Sequence, residues 1–300
     1  MDRFEAMSAF VAVAEAGSFS AAARQLGTPL ATISRKVSEL EDHLRVRLLT
    51  RSTRQLALTD SGQQYLTACK RMLDDLRDVE RLMTGEYSAP KGELVVSAPI
   101  VFGRLYLVPI VVAFLRAYPD VQVDLRLVDS VTNLLEDHID VALRISELPD
   151  SGIMALRVGE IRHVVCASPT YVATHGAPAH PRDLAAHDCI SCTALQPAHE
   201  WIFRAGRQAE RYPVRSRLVV TTAEAAADAA VAGVGVTRLL CYQVASAIAA
   251  GSLQLLMRDQ EPNPAPVHLV YPGGRLVPQK LRAFLDFALP RLKATLVFAD

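Results

Sequence analysis

The sequence predicts an α/β protein preceded by an all-α-rich N-terminal segment. Three observations carry that reading. Phe4, Met7, Phe10, Val11 and Ala14 recur at helical spacing, as do Ile33, Val37, Leu40 and Leu44. A long helix with a narrow apolar seam and a charged opposite face follows them. Beyond it, short apolar runs alternate with helical segments; Val121, Val123, Leu125 and Leu127 interleave with Gln122, Asp124 and Arg126, a half-buried strand. The length of 300 residues makes two or three domains the expectation. Half the residues are apolar and 21% are charged, which excludes a disordered or low-complexity chain. The 32 Lys and Arg cancel the 32 Asp and Glu, so any nucleic-acid site must be a local charge cluster.

Taken in order, the first helix stops at Gly17, and Ser18 is placed to cap the second. That second helix, 20–26, is short, alanine-rich and closed by Gly27. Thr28 and Pro29 read as a cap followed by proline at the first position of the third helix. Helix, short helix, glycine turn and longer helix is the helix–turn–helix layout. The outer face of the third helix carries Ser34, Arg35 and Ser38, with Leu30 and Ala31 in its first turn. Leu56 and Leu58 alternate, suggesting a small hairpin that would form a wing. Arg45, Arg47, Arg51 and Arg54 fall between His43 and Thr59 with no acidic residue among them. Such a cluster supplies phosphate attraction, and a wing arginine suits a minor groove. A three-helix bundle with a solvated basic loop fits the same residues.

Thr59 caps a helix expected to reach residue 86. Tyr65, Cys69, Met72, Leu76, Val79 and Met83 are spaced as a heptad seam, suiting pairing with a second chain. Packing of an amphipathic helix on its own core is the alternative. The 85–92 stretch reads as a hinge. Strands are then expected at 94–98, 121–127, 141–145, 164–167, 217–220, 236–240, 253–256 and 267–271. Helices are expected at 101–118, 133–138, from Pro169, and at 223–232, 242–250 and 279–289. Ligands in open α/β sheets bind beyond strand carboxyl ends, near helix starts that favour anions. Ser97 to Pro99, Arg144 to Ser146, and Thr221 with Thr222 are candidates for that place.

Apolar runs such as 108–115 fall short of the roughly 20 residues of a membrane span, and the charged start lacks an export-type core. The expectation is a cytoplasmic protein with no membrane partner. Five scattered cysteines suit free thiols in a reducing compartment. Cys189 and Cys192 form a CxxC flanked by His187 and His199, a candidate redox pair or metal site. Gly233 and Gly235 lack the remainder of a nucleotide-binding fingerprint and read as a tight turn. Trp201, Ile202 and Phe203 read as core. No HExxH or GxSxG pattern is present, and no catalytic constellation or cofactor is expected.

The run from Phe10 to Gly27, continuing through Thr32–Glu41, resembles the N-terminal domain of LysR-type transcriptional regulators. So do Arg47–Arg54 and Leu58–Gly62. Gly92–Leu94, Pro99–Arg104, Asp140–Ile145, Cys166–Tyr171 and Ala232–Gly235 are also similar to that family, so the resemblance spans essentially the whole chain. It implies a winged helix–turn–helix over 1–60, a dimerising linker helix and hinge over 61–91, and an effector domain over 92–300. The effector domain would be periplasmic-binding-protein-like, with subdomain I at 92–163 and 268–300 and subdomain II at 164–267. The resemblance further implies a homodimer, assembled as a dimer of dimers, on interrupted palindromes in double-stranded DNA near promoters. A small-molecule effector, with an anion as one candidate, would sit between the subdomains.

By position, Leu30, Ala31 and Arg35 would face base edges, and Ser18, Ser20 and Ser34 would touch phosphate. Arg51 and Arg54 would reach backbone or minor groove. Leu30 departs from the polar residue or proline commoner in relatives, and packs on a thymine methyl at best. The effector pocket would involve Ser97, Pro99, Phe102, Arg144, Ser146 and Thr221, with Arg144 as a carboxylate clamp. Ser146 and Thr221 differ from the glycine and asparagine frequent in relatives. Two other readings stay open: a redox-sensing regulator using Cys189 and Cys192, and a ligand carrier or enzyme on a binding-protein fold.

Overall fold

A computed structural model describes residues 2–51, 56–84, 89–130, 132–148, 152–194, 198–205, 208–273 and 277–296. They form two compact units, 1–89 and 90–300.

In the first unit, α1 (Arg3–Ala16) ends at Gly17, whose φ of 61° suits a residue without a Cβ. Ser18 accepts a hydrogen bond from the Ala21 N–H and caps α2 (Phe19–Gln25). The helix α3 (Leu30–Leu44) begins one residue later than the sequence suggests: Pro29 is its cap, and Thr28 turns back to donate its hydroxyl to the Leu26 carbonyl. Phe10, Val13, Ala22, Ile33, Val37 and Leu40 close one core among these helices. Each large side chain buried this way contributes roughly 1.5–3 kcal/mol. The strands β1 (Leu49–Arg51) and β2 (Leu56–Leu58) pair antiparallel as the expected hairpin. Its tip, including Arg54, lies outside the described residues.

Glu41 joins hairpin to helix. It is 4% exposed, and one carboxylate oxygen accepts from the Leu48 and Leu49 N–H groups at 2.7 and 3.0 Å. Arg47 adds an ion pair at 3.3 Å. Thr59 then caps α4 (Asp60–Thr84) by accepting from the Gly62 N–H at 2.9 Å. A methyl on Gly62 would collide with the Leu48 carbonyl oxygen, which explains the glycine there.

The heptad seam divides. Cys69 is fully buried in the unit's own core with Leu66 and Leu73, and the Tyr65 ring packs 5.8 Å from Phe10. These positions are occupied by α1, which overrides the seam. Met72 is 53% exposed and Leu76 half-buried. The side chains of Val79 and Met83, and residues 85–88 of the expected hinge, lie outside the described ones.

In the second unit, β3 (Gly92–Ala98) runs into a continuous helical stretch: α5 (Ile100–Phe102), a π-type turn (Gly103–Leu107) and α6 (Val108–Ala117). By length and hydropathy this stretch matches a membrane span, but Phe102, Leu107, Ile110 and Phe114 pack it into the core. Next come β4 (Val121–Leu127), β5 (Val141–Ile145) and β6 (Ile153–Ile161). The helix expected at 133–138 is a turn instead. Asn133 and Asp137 side chains take backbone N–H groups, and His138 adopts a φ of 53°. The second sheet uses β7 (His163–Ala167), followed by α7 (Pro169–His175). It adds β8 (Cys189–Cys192) and, after a separate two-stranded hairpin of β9 (Glu200–Ala205) and β10 (Gln208–Pro213), β11 (Ser216–Val220). After α8 (Ala223–Val231) come β12 (Val236–Leu240), α9 (Cys241–Ala249) and β13 (Gln254–Leu256). The chain returns through β14 (Ala265–Pro272) and ends in α10 (Gln279–Leu296).

Two five-stranded sheets result, ordered β4-β3-β5-β14-β6 and β11-β8-β12-β7-β13. The chain crosses between them twice, near 162 and over 257–264. Residues 265–267 therefore belong with the first sheet, pairing with Gly159 to Ile161, and His163 with the second. Trp201 and Phe203 are fully buried, as expected, but alternation along β9 leaves Ile202 36% exposed.

β8 decides the CxxC. Residues three apart on a strand point to opposite faces. Cys192 packs in the core between the sheets' helices, and Cys189 beside Trp201 and Phe203 in a separate cluster. Both are fully buried, and burial pushes the Cys189 thiol up to about 12. Two tests follow. Glu41→Ala is expected to lower stability by about 3 kcal/mol in urea denaturation, whereas Asp42→Ala on the exposed face changes it by less than about 0.5 kcal/mol. Folded protein treated with equimolar peroxide is expected to show no Cys189–Cys192 disulfide by peptide mapping.

Candidate nucleic-acid interface and ligand cleft

The outer side of α3 opposes a sealed inner side. Ile33, Val37 and Leu40 are buried to 1% or less, while Leu30 is 50% exposed with Ala31 and Arg35 beside it on the open face. Ser34 is half-buried at its margin. The Arg35 side chain is 71% exposed and holds only a 3.8 Å pair with Glu39. An exposed i,i+4 pair of this kind is worth about 0.3–0.5 kcal/mol, so it releases the guanidinium readily. At the start of α2 the Ser18 and Ser20 hydroxyls lie 3.1 Å apart. That helix start and the first turn of α3 thus present donors on exposed surface. Arg47, 80% exposed, keeps its guanidinium at the surface despite the Glu41 contact. The Arg51 backbone lies in β1; its side chain lies outside the described residues.

In the second unit a cavity of about 420 Å³ opens at the carboxyl ends of β3 and β5. Parallel pairing of β3 with both β4 and β5 brings these ends to one edge. Ser97, Pro99, Arg144 and Ser146 line it, four of the six residues expected there. Phe102 and Thr221 do not. Phe102 is fully buried, its ring 5.5 Å from Tyr242, which it props from behind. Thr221 is exposed just past the end of β11, and its neighbour Thr222 caps α8 through the Ala225 N–H. The second sheet and α9 contribute His163, Leu240 and Tyr242, which no local pattern in the sequence marks.

The helix start at Ile100 is already occupied. Asp129 accepts from the Ile100 N–H at 3.0 Å, so the protein's own carboxylate fills the place that suits an anion. Burial raises the Asp129 carboxyl above its usual range; the Ile100 bond opposes this and the Glu224 charge adds to it. Arg144 reaches across to donate to the Thr132 carbonyl at 2.6 Å, which aims the guanidinium along the cavity wall. Burial, aided by the Arg238 charge, lowers His163 to about 4, leaving its imidazole neutral at pH 7. Burial likewise drives the Tyr242 hydroxyl far above its usual value and keeps it protonated. The glycine pair is a tight helix-to-strand turn: Gly233 has a φ of 81°, and a side chain on Gly235 would strike the Asp188 carbonyl. Among the described residues no cluster of His, Cys, Asp and Glu converges on a metal position.

Comparison with known proteins agrees with both halves. The bacterial regulatory helix-turn-helix protein model of the lysR family matches residues 4–63, and the LysR substrate binding domain model matches 88–293. The HTH-type transcriptional regulator CrgA of Neisseria meningitidis is 34% identical, over 96% of this chain and 96% of its own length. The HTH-type transcriptional activator AaeR of Escherichia coli is 32% identical over 95% and 93%. The solved structure of CrgA superposes with a TM-score of 0.60, covering 96% of this chain and 98% of that one. The full-length virulence activator AphB of Vibrio cholerae, 27% identical, gives 0.61 over 95% and 98%. An exposed recognition helix on one unit and a two-sheet ligand cleft on the other, matched end to end by these relatives, place the chain in the LysR family of transcriptional regulators.

Proposed function

We propose that this regulator reads an interrupted palindrome upstream of a promoter through Leu30, Ala31 and Arg35, with Ser18, Ser20 and Ser34 on phosphate. Arg51 and Arg54 extend the contact along the wing. The observation that carries this reading is the exposure of Leu30 and Arg35 on a helix whose inner side is sealed. Leu30 packs on a thymine methyl, and Arg35 offers two parallel donors to a guanine edge. An effector in the 420 Å³ cleft, held in part by Arg144 and Ser97, shifts the geometry of the bound protein. It binds without turnover, and the protein acts in the cytoplasm, where its DNA target is.

A homodimer suits the symmetry of such a site. Met72 stands exposed on α4, and Phe4, Leu26 and Leu76 line a hollow on the same unit that a second copy would cover. Leu105, Val108, Val112 and Leu115 form an exposed apolar stripe on the 100–117 helix, which suits a further contact in a dimer of dimers. The redox reading is not favoured, because Cys189 and Cys192 face opposite sides of β8.

Gel-shift titration on the DNA upstream of the protein's own gene tests the assignment. Arg35→Ala is expected to cost about 1–3 kcal/mol of specific affinity and to relax preference at one base position. Binding should also fall steeply with added salt. An Arg35→Ala variant with unchanged affinity and footprint would remove Arg35 from the interface.

A further inference from the structure

Two buried polar atoms in the cleft have no hydrogen-bond partner among the described residues. Tyr242 is 4% exposed, and its hydroxyl makes no hydrogen bond. The Gln243 side chain lies close enough to oppose the upward shift of the Tyr242 hydroxyl, but no hydrogen bond of standard geometry joins them, and the Gln243 amide oxygen accepts from the Leu240 N–H at 2.9 Å. The His163 Nδ1 is buried and unpartnered in the same way. Both residues line the cavity; His163 stands on β7, opposite Leu240 of β12, and Tyr242 lies in the first turn of α9, directly after that strand. Of the buried side-chain atoms without a partner among the described residues, these two are the ones whose residues line the cavity, and a ligand there can supply the bonds they lack.

The chemistry of that partner is constrained. A tyrosine hydroxyl donates and accepts, and a neutral imidazole nitrogen does one or the other according to tautomer. A ligand hydroxyl, itself donor and acceptor, satisfies both at once. A carboxylate only accepts, and here it would lie near the Asp129 charge, which already acts on Tyr242. On the first sheet, Arg144 is the one cation among the described lining residues, set against Asp129 and Glu147. One guanidinium matches one carboxylate. A dianion or phosphate ester would bring a charge with no partner.

We infer that the effector is a small hydroxy-monocarboxylate lying across the cleft, its carboxylate on Arg144 and its hydroxyl read by Tyr242 and His163. This rests on the assignment of the cleft as the effector site. Such a ligand ties the two sheets together, since its ends are held by different ones. Tyr242 and His163 are then the residues that select the hydroxylated compound over its deoxy analogue. A site built to pair a hydroxyl rejects analogues that lack it, because its own groups are left unpaired.

Thermal-shift and calorimetric titrations of the full-length protein test this. The probes are monocarboxylates of about three to eight carbons, the same acids carrying one hydroxyl, and dicarboxylates of equal length. At least one hydroxy acid is expected to bind ten-fold or more tighter than its deoxy analogue. Tyr242→Phe is expected to melt at or above the wild-type temperature, since no bond is lost, and to erase that ten-fold preference. Tighter binding of deoxy acids or dicarboxylates overturns the inference. So does a Tyr242→Phe variant that keeps the preference or melts several degrees lower. If no probe shifts melting while the protein still protects its upstream DNA, the ligand class is wrong and the regulator stands. Absent DNA protection instead overturns the regulatory reading.

Discussion

The double crossing of the chain between its two sheets is the constraint on which the cleft depends. One crossing carries Arg162 and the other Glu261, and the two side chains pair at 3.2 Å. The Glu261 side chain is only 10% exposed, and burial lifts its carboxyl while Arg162 draws it down. Removing one partner would strand a largely buried charge, so the pair fixes the crossings side by side. The Cys241 N–H adds a bond to the Arg162 carbonyl at 2.9 Å, which ties the start of α9 to the same point. His163 follows immediately and Tyr242 lies in the first turn of α9, so the crossing sets both residues in the cavity lining. Two segments of this kind are the covalent links between the sheets, and the Phe102 ring against Tyr242 adds a packed contact.

The N-terminal unit solves a similar problem with Glu41. A short hairpin cannot bury enough apolar surface to hold itself. Its first strand is anchored because the Leu48 and Leu49 N–H groups end on a buried carboxylate from the recognition helix. The α3 helix and the hairpin beside it are therefore tied together by one side chain, and the outer face of α3 stays exposed. In both units a buried carboxylate holds a junction, and the surface chemistry is built outward from it.

Much of this was legible in the sequence, and the failures have physical causes. Periodicity and glycine stops located the three N-terminal helices, because their burial follows helical spacing. The seam on α4 was misleading because Tyr65 and Cys69 obey the same spacing whether the partner is a second chain or α1. β6, β8 and the β9–β10 hairpin fall outside the expected strands. β6 reads Ile-Met-Ala-Leu-Arg-Val-Gly-Glu-Ile with irregular burial, and β8 is four residues, all buried, without alternation. Asn133 to His138 looked helical, yet Asn and Asp side chains captured the backbone in a turn. In the cleft, Ser97, Pro99, Arg144 and Ser146 were found because they end strands. His163 and Tyr242 were not, since they reach the cavity only through the crossings, which no local pattern encodes. Phe102 was placed one layer too shallow: it supports Tyr242 from the core.

In the proposed function, occupancy of the cleft governs how the N-terminal units of a dimer engage DNA. The most direct measurement is a footprint of the full-length protein on its own upstream region, with and without the hydroxy acid that most raises its melting temperature. The account predicts a protected interrupted palindrome whose outer boundary shortens or shifts when that acid is present. Identical footprints at saturating acid would contradict it, because ligand binding would then be uncoupled from the DNA-reading helices.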